Sequence, residues 1–214
     1  MIKNIIFDID GTLWNSTEVV AEGWIKAVKE LGYSKAELSA DILKKEFGLP
    51  MNIIADHVFY DLHDEKKKNE LLALCCKYEH ECLIANTKDI SFPGIVDVIK
   101  TLSKEYRLFI VSNCQKGYIE LVSDKLSIAE YIEDYLCYGD TLLTKGETMT
   151  ILMEKNGLAK DETAYVGDVS GDKVATEYAG AIFVYADYGF GDLENEKYVA
   201  KSPSDIPGVI KSIQ

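Results

Sequence analysis

The sequence lacks any long apolar run. No stretch approaches the ~18 consecutive apolar residues of a membrane-spanning helix. The opening segment 1–7 is too short for the apolar region of a signal peptide, and it leads directly into acidic residues. We therefore expect a protein of the cytoplasm that has no membrane partner.

Cationic residues are scarce in this sequence. Lysine and arginine together number 23 against 36 aspartates and glutamates, which gives a net charge of −13 at pH 7. A surface of this sign repels the phosphate backbone of nucleic acids, so nucleic acid is not an expected partner. An anionic substrate would need a site that is made locally positive by a metal ion, lysine side chains or backbone N–H groups.

Cysteine and histidine are few and show no metal-binding spacing. The five cysteines are an odd number without a C-x-x-C pair, and the three histidines are scattered. A chain of 214 residues can form a core without disulfides, so reduced thiols are expected. With 47% hydrophobic residues, the composition is that of a globular protein with one core and an insertion.

Short β-branched and aromatic runs alternate with helical patterns over much of the chain. This alternation predicts an α/β fold with a doubly wound, Rossmann-like parallel sheet that is covered by helices. The predicted strands are 2–7, 107–111, 135–138, 163–166 and 181–185, and the predicted helices between and after them are 94–104, 117–126, 146–155, 171–179 and 205–213.

One long segment, 16–86, interrupts the alternation because it contains only helical periodicity. Four helices are predicted in it, near 17–31, 35–46, 50–59 and 64–85. The simplest explanation is an all-helical subdomain inserted into the α/β core. The predicted domains are therefore a core of residues 1–15 and 88–214 and a helical insertion of residues 16–87.

Two aspartates follow directly on the first predicted strand. Side chains at i and i+2 of an extended segment point to the same side, so Asp8 and Asp10 can share one site. Gly11 allows a close backbone approach, and Thr12 adds a hydroxyl and an N–H for an anion. An Asp-Gly turn without any function has the same local pattern.

Polar residues also end the other predicted strands. Ser112 and Asn113 follow the second one, Lys145 stands before a helix, and Asp168 and Asp172 follow the strand at 163–166. Carboxyl ends of neighbouring parallel strands are where ligands bind in such sheets. Because carboxylates that meet there repel each other, we expect a compensating cation, and Mg²⁺ prefers oxygen ligands.

Four motifs occur in a fixed order, each after a predicted strand. They are FDIDGTL (7–13), VSN (111–113), TKG (144–146) and VGDVSGD (166–172). Together they resemble the haloacid dehalogenase superfamily of aspartate-nucleophile phosphohydrolases, and specifically its phosphoglycolate-phosphatase-like branch, in which a helical cap lies between the first two motifs. The first and fourth motifs are specific, whereas the second and third are weak alone. The resemblance implies that the inserted subdomain is such a cap.

The resemblance implies a role for each matching residue. Asp8 would be the nucleophile that forms an aspartyl-phosphate, and Asp10 the general acid and base. Asp8, Asp168 and the backbone carbonyl of Asp10 would bind Mg²⁺, with Asp172 as a supporting carboxylate. The residues that would bind the substrate phosphate are Thr12, Ser112, Asn113 and Lys145.

Three functions remain open for this sequence. Asp10 favours phosphoryl chemistry over dehalogenation, because it supplies the proton that an alkoxide leaving group needs and a halide does not. A Mg²⁺-dependent phosphatase acting on a small phosphorylated metabolite is the favoured function, since no distinctive phosphomutase signature is found in the cap. A phosphomutase of the β-phosphoglucomutase type would use the same core residues. A non-catalytic phosphate-binding protein would be expected to have lost Asp8 or Asp10. One departure from the family is Gly146, where relatives usually have proline.

We predict that the helix break in the cap at residues 47–52 sets substrate specificity, although a plain helix connection has the same sequence pattern. Changing Leu49, Met51 or Asn52 should alter the preference among natural phosphate esters. Hydrolysis of a small aryl phosphate should stay within about threefold, because the core supplies the chemistry. Steady-state kinetics on both substrate types tests this, and an equal loss on both would contradict it.

Overall fold

The computed structural model describes residues 1–213 and divides into two compact units. The sheet unit consists of Met1–Asn15 and the chain from Ser91 onward, and the helical unit consists of Ser16–Ile90. None of the described helices combines the length and the apolar character needed to span a membrane.

The sheet unit contains a six-stranded sheet in which every pair of neighbours is parallel. Its order, β3-β2-β1-β4-β5-β6, places the first strand in the middle. The predicted α/β Rossmann-like fold is therefore confirmed. The strands are β1 (Asn4–Phe7), β2 (Arg107–Ser112), β3 (Asp134–Cys137), β4 (Thr163–Gly167), β5 (Ile182–Ala186) and β6 (Val199–Ala200).

Six α-helices accompany this sheet. They are α5 (Ile95–Leu102), α6 (Tyr118–Lys125), α7 (Tyr138–Thr141), α8 (Lys145–Asn156), α9 (Ser170–Ala179) and α10 (Ile206–Ser212). Three single-turn 3₁₀ helices lie at Ala129–Tyr131, Lys160–Glu162 and Pro203–Asp205. Strand β6 was not predicted because two residues are too short to show a pattern.

The apolar strand residues form a core on the sheet. Ile6, Phe109 and Tyr165 are side by side on neighbouring strands, and Met149 and Leu152 of α8 pack against them. Side chains alternate along a strand, so the equally buried Ile5 and Phe7 lie on the opposite face. Strand β1 is thus apolar on both faces, as expected for a central parallel strand.

The helical unit contains four helices, and its two longest pack against each other. They are α1 (Thr17–Leu31), α2 (Ala40–Lys44), α3 (Met51–Val58) and α4 (Glu65–Ala85). Trp24 of α1 stacks on Phe59, and its indole N–H donates to Glu79 of α4 at 2.8 Å. Buried aromatic packing with a satisfied N–H stabilises this unit.

One predicted helix is wrong in its first half. The sequence pattern predicts a helix over 35–46, but α2 begins at Ala40. The Asp61 carboxylate accepts hydrogen bonds from the Ser34 hydroxyl at 2.6 Å and the Lys35 N–H at 2.8 Å, which holds the start of this stretch in a loop. Ser39 then caps the helix by accepting from the Ile42 N–H.

A helix break is present near the predicted residues 47–52, but it covers residues 45–50, so Met51 and Asn52 lie in the first turn of α3. Helix α2 ends at Lys44, a turn follows, and α3 begins at Met51 with Pro50 at its N-cap position. Proline suits this end of a helix because it has no N–H to leave unpaired. The role of this segment in specificity stays a prediction.

Candidate active site

The ends of the three central strands bring the motif residues to one edge of the sheet. Phe7 of β1 pairs with Val166 of β4 and with Ile110 of β2. Asp8 comes one residue after β1, and its N–H donates to the Val166 carbonyl at 2.9 Å. Asp168 comes directly after β4, so the sheet itself places the two aspartates next to each other.

Three aspartates form a carboxylate cluster, which we define as Asp8, Asp168 and Asp172. One carboxylate oxygen of each lies within 4.8 Å of the others, and all three side chains are buried. The buried Lys145 ammonium lies 3.1 Å from Asp8 Oδ1 and 2.6 Å from Asp172 Oδ1. Lys145 is the first residue of α8, so this helix brings a cation to the strand ends.

Asp172, which lies on α9, holds the cluster in place through hydrogen bonds. Its Oδ2 accepts the backbone N–H groups of Asp168 at 3.0 Å and Val169 at 3.1 Å, and its Oδ1 accepts from Lys145. The Tyr165 hydroxyl lies 3.4 Å from the same Oδ1. Both oxygens of Asp172 are thus used to hold the loop after β4 and the ammonium in place.

Burial governs the electrostatics of the cluster. Desolvation raises the pKa of Asp8 to about 6, although the nearby Lys145 ammonium acts in the opposite direction. Desolvation, together with the charges of Asp172 and Asp8, raises the pKa of Asp168 to about 8. Burial also opposes the charge of Lys145, but the attraction of Asp172 and Asp8 outweighs it and the pKa of this lysine is raised.

The cluster has the properties of a site for a hard divalent cation. Asp168 Oδ1 is buried and has no hydrogen-bond partner among residues 1–213. Carboxylate oxygens are the ligands that Mg²⁺ prefers, and a cation would offset both the burial and the repulsion that raise the pKa of Asp8 and Asp168. The residues present therefore fit Mg²⁺.

The remaining predicted residues follow β1 or end and follow β2. Asp10 is half-buried, and its Oδ1 accepts from the Trp14 indole N–H at 2.9 Å and the Tyr118 hydroxyl at 3.0 Å. Thr12 is buried, and its Oγ1 has no partner in the described part of the chain. Ser112 is the buried last residue of β2, and the half-buried Asn113 follows it.

A segment after β5 holds Asp168 and was missed as functional from the sequence. The Phe190 N–H donates to Asp168 Oδ2 at 2.7 Å, and the Tyr188 hydroxyl donates to the Thr12 carbonyl at 3.0 Å. A Cβ at Gly189 would lie 2.3 Å from the Asp168 Cβ and 2.4 Å from the Gly11 carbonyl oxygen. Only glycine fits there. The pair Gly189 and Gly191 after an apolar strand was the available signal.

The unusual Gly146 of the third motif has a local explanation. A Cβ added at this position in α8 would lie 2.9 Å from the Tyr178 ring and 3.0 Å from its Cβ. Tyr178 of α9 therefore occupies the space that a larger residue at position 146 would fill. Lys145 still reaches the cluster, so the exchange leaves the charge of the motif in place.

The comparisons with known proteins agree with this arrangement. The family model described as haloacid dehalogenase-like hydrolase matches residues 5–186. The chain belongs to this family. The chain is similar to phosphoglycolate phosphatases: one from Aquifex aeolicus is 28% identical over 211 residues, covering 96% of this chain and 95% of that protein.

Other relatives support the same family. The pyrophosphatase PpaX of Oceanobacillus iheyensis is 22% identical over 220 residues, covering 98% of this chain and 97% of that protein. A solved haloacid dehalogenase-like hydrolase from Streptococcus pneumoniae has a TM-score of 0.82 at 20% identity, with 97% of each chain covered. A solved haloacid dehalogenase-like hydrolase from Bacteroides fragilis has a TM-score of 0.84 at 16% identity, with 96% of this chain and 100% of that chain covered. These two structures show the fold.

We predict that Gly189→Ala weakens Mg²⁺ binding. The added Cβ must displace Asp168, and shifts of residues that orient metal ligands typically cost about 10- to 100-fold in affinity. Calorimetric titration of the metal-free protein with MgCl₂ measures the effect. Gly208→Ala is the control, because a Cβ at Gly208 in α10 meets open space. Equal Mg²⁺ affinities of the two folded variants would contradict the positioning of Asp168 by this segment.

Proposed function

We propose that the protein is a Mg²⁺-dependent phosphatase that hydrolyses a small phosphorylated metabolite through an aspartyl-phosphate on Asp8. The observation that supports this most strongly is the buried Asp8 carboxylate at the end of β1, 3.1 Å from the Lys145 ammonium. A positioned carboxylate next to a fixed positive charge meets the two main needs of phosphoryl transfer, a nucleophile and charge neutralisation.

In the first half-reaction a carboxylate oxygen of Asp8 attacks phosphorus. The bond between phosphorus and the ester oxygen breaks, its electron pair stays on the leaving oxygen, and Asp10 gives that oxygen a proton. Lys145 binds the oxygens of the transferring phosphoryl group. The polar groups of Thr12, Ser112 and Asn113 complete the binding of these oxygens.

In the second half-reaction Asp10 accepts a proton from water. The water oxygen attacks phosphorus, and the bond between phosphorus and Asp8 breaks. The products are inorganic phosphate and the regenerated Asp8 carboxylate. Asp10 thus begins and ends the cycle in the same protonation state, and one residue serves both steps.

Mg²⁺ would be held by the carboxylates of Asp8 and Asp168 and by the backbone carbonyl of Asp10. When bound, it supplies positive charge that offsets the negative charge of the phosphoryl oxygens. Asp172 has a different role, because its oxygens hold Lys145 and the backbone after β4. This division leaves Asp168 Oδ1, which lacks a partner between residues 1 and 213, for the cation.

The substrate class follows from the relatives together with the charge of the protein. The matched relatives are named phosphoglycolate phosphatase and pyrophosphatase, both of which act on small phosphorylated molecules. A net charge of −13 disfavours large polyanions as substrates, whereas a single phosphate can be drawn to Lys145 and Mg²⁺. Free thiols at all five cysteines suit the reducing cytoplasm, which we propose as the location.

The roles of Asp8 and Asp10 predict a specific kinetic result. With an aryl phosphate, whose leaving group needs little protonation, Asp10→Asn should form the aspartyl-phosphate quickly and hydrolyse it about 10²- to 10⁴-fold more slowly than the unchanged protein. Rapid mixing should show a burst of aryl product, and acid quench with intact-mass measurement should show one added phosphate on the protein.

Asp8→Asn is the matched variant and should show neither a burst nor added phosphate, because it has no nucleophile. Slow turnover by Asp10→Asn without any covalent phosphate would mean that water attacks the substrate directly, and Asp8 would then not be the nucleophile.

The Mg²⁺ requirement is tested by chelation. Excess chelator should abolish turnover in the unchanged protein, and Mg²⁺ should restore it.

A further inference from the structure

Two buried side chains donate to the same oxygen of Asp10. The Trp14 indole N–H lies 2.9 Å from Asp10 Oδ1, and the Tyr118 hydroxyl lies 3.0 Å from the same atom. Both distances are those of well-formed hydrogen bonds. Neither Trp14 nor Tyr118 belongs to the four motifs.

The two donors are firmly held. Trp14 is 2% exposed and Tyr118 is 1% exposed, and their rings meet edge to face with centroids 5.8 Å apart. The Trp14 backbone is fixed as well, because its carbonyl accepts the Gly11 N–H at 3.0 Å and it forms a bridge with Ser91. Tyr118 comes from a different part of the chain, where it begins α6.

Two hydrogen bonds to one oxygen restrict the orientation of a carboxylate. Each carboxylate oxygen has two lone pairs that can accept hydrogen bonds. The indole and the phenol both donate at neutral pH, so they fill the two acceptor positions of Oδ1. Two donors on one oxygen hold the plane of the Asp10 carboxyl group in place.

We propose that Trp14 and Tyr118 are positioning residues that hold the Asp10 carboxyl group in the orientation from which it gives and takes the proton. This inference rests on the proposed role of Asp10 as general acid and base. With Oδ1 held by two donors, the carboxyl group is fixed in rotation, and the same orientation serves the leaving oxygen in the first half-reaction and water in the second. Fixed orientation of this kind is a main source of catalytic rate.

The variants Tyr118→Phe and Trp14→Phe test this inference. With an aryl phosphate, the rate constant of the burst should stay within about twofold, because this step needs little help from Asp10. The steady-state rate should fall about 10- to 100-fold, the range for losing one hydrogen bond to a charged group. With an alkyl phosphate, the first step should fall by a similar factor, and KM should change little.

Matched controls exist in the helical unit. Trp24 donates its indole N–H to Glu79 at 2.8 Å, and the Tyr78 hydroxyl donates to Glu30. Trp24→Phe and Tyr78→Phe therefore remove the same two kinds of donor from two other carboxylates, both of which belong to the helical unit. Both should leave the ratio of burst rate to steady-state rate unchanged.

A double variant tests whether the donors act through Asp10. Adding Tyr118→Phe to Asp10→Asn should slow the second half-reaction by less than about twofold, because the group that Tyr118 positions has already been lost. A further tenfold loss in the double variant would overturn the inference, since Tyr118 would then act elsewhere.

The outcomes separate this inference from the proposed function. If burst and steady-state rates fall together in Tyr118→Phe and Trp14→Phe, or if neither changes while Asp10→Asn shows its burst, the positioning role is wrong and the proposed function stands. If Asp10→Asn itself forms no covalent phosphate, the proposed function fails. Circular dichroism of each variant identifies a loss of folded protein, and Tyr118→Phe, which removes one oxygen atom, is the least disruptive change.

Discussion

The ion pairs of Lys145 with Asp8 and Asp172 are the interaction on which the rest of the site depends. These groups are buried, and buried charges are costly unless they are paired. The cluster of Asp8, Asp168 and Asp172 carries more negative charge than the Lys145 ammonium can balance. Burial, together with the repulsion from neighbouring carboxylates, raises the pKa of both Asp8 and Asp168. A protein with this cluster must therefore either hold a proton there or bind a cation, and the second possibility is the basis of the proposed phosphatase activity.

The fold supplies the geometry that makes such a cluster possible. Parallel strands β1 and β4 end at the same level, so Asp8 and Asp168 are neighbours in space although 160 residues separate them in the sequence. Helix α8 brings Lys145 to this edge, and helix α9 brings Asp172. The segment after β5 that contains Gly189 and Phe190 packs against Asp168, and the Phe190 N–H donates to its carboxylate. Each functional group is thus carried by a regular element or held by backbone hydrogen bonds, which suits a site that must stabilise charge without reorganising.

The parts of this account that rest on short-range patterns could be predicted from the sequence. The strands that precede Asp8 and Asp168 are visible as apolar runs followed by acidic residues, and their alternation with helices predicts the parallel sheet. The contact of Tyr118 with Asp10 could not be predicted, because 108 residues separate the two and only the packed structure brings them together. The hydrogen bond from the Phe190 N–H to Asp168 could not be predicted for the same reason. The predicted helix 35–46 begins too early, because Asp61, which is distant in the sequence, binds Ser34 and Lys35 and keeps them out of the helix.

Counting protons released on cation binding tests the central claim most directly. A pKa of about 8 for Asp168 means that this carboxyl is largely protonated at pH 7 in the metal-free protein, whereas Asp8, with a pKa of about 6, is largely ionised. Binding of Mg²⁺ requires the ionised carboxylate and must expel the proton. Calorimetric titrations with MgCl₂ at pH 7, in buffers of different ionisation enthalpy, should therefore show release of about one proton per Mg²⁺ bound. The number should fall towards zero above about pH 9, where Asp168 is already ionised. Mg²⁺ binding without proton release at pH 7 would contradict the account.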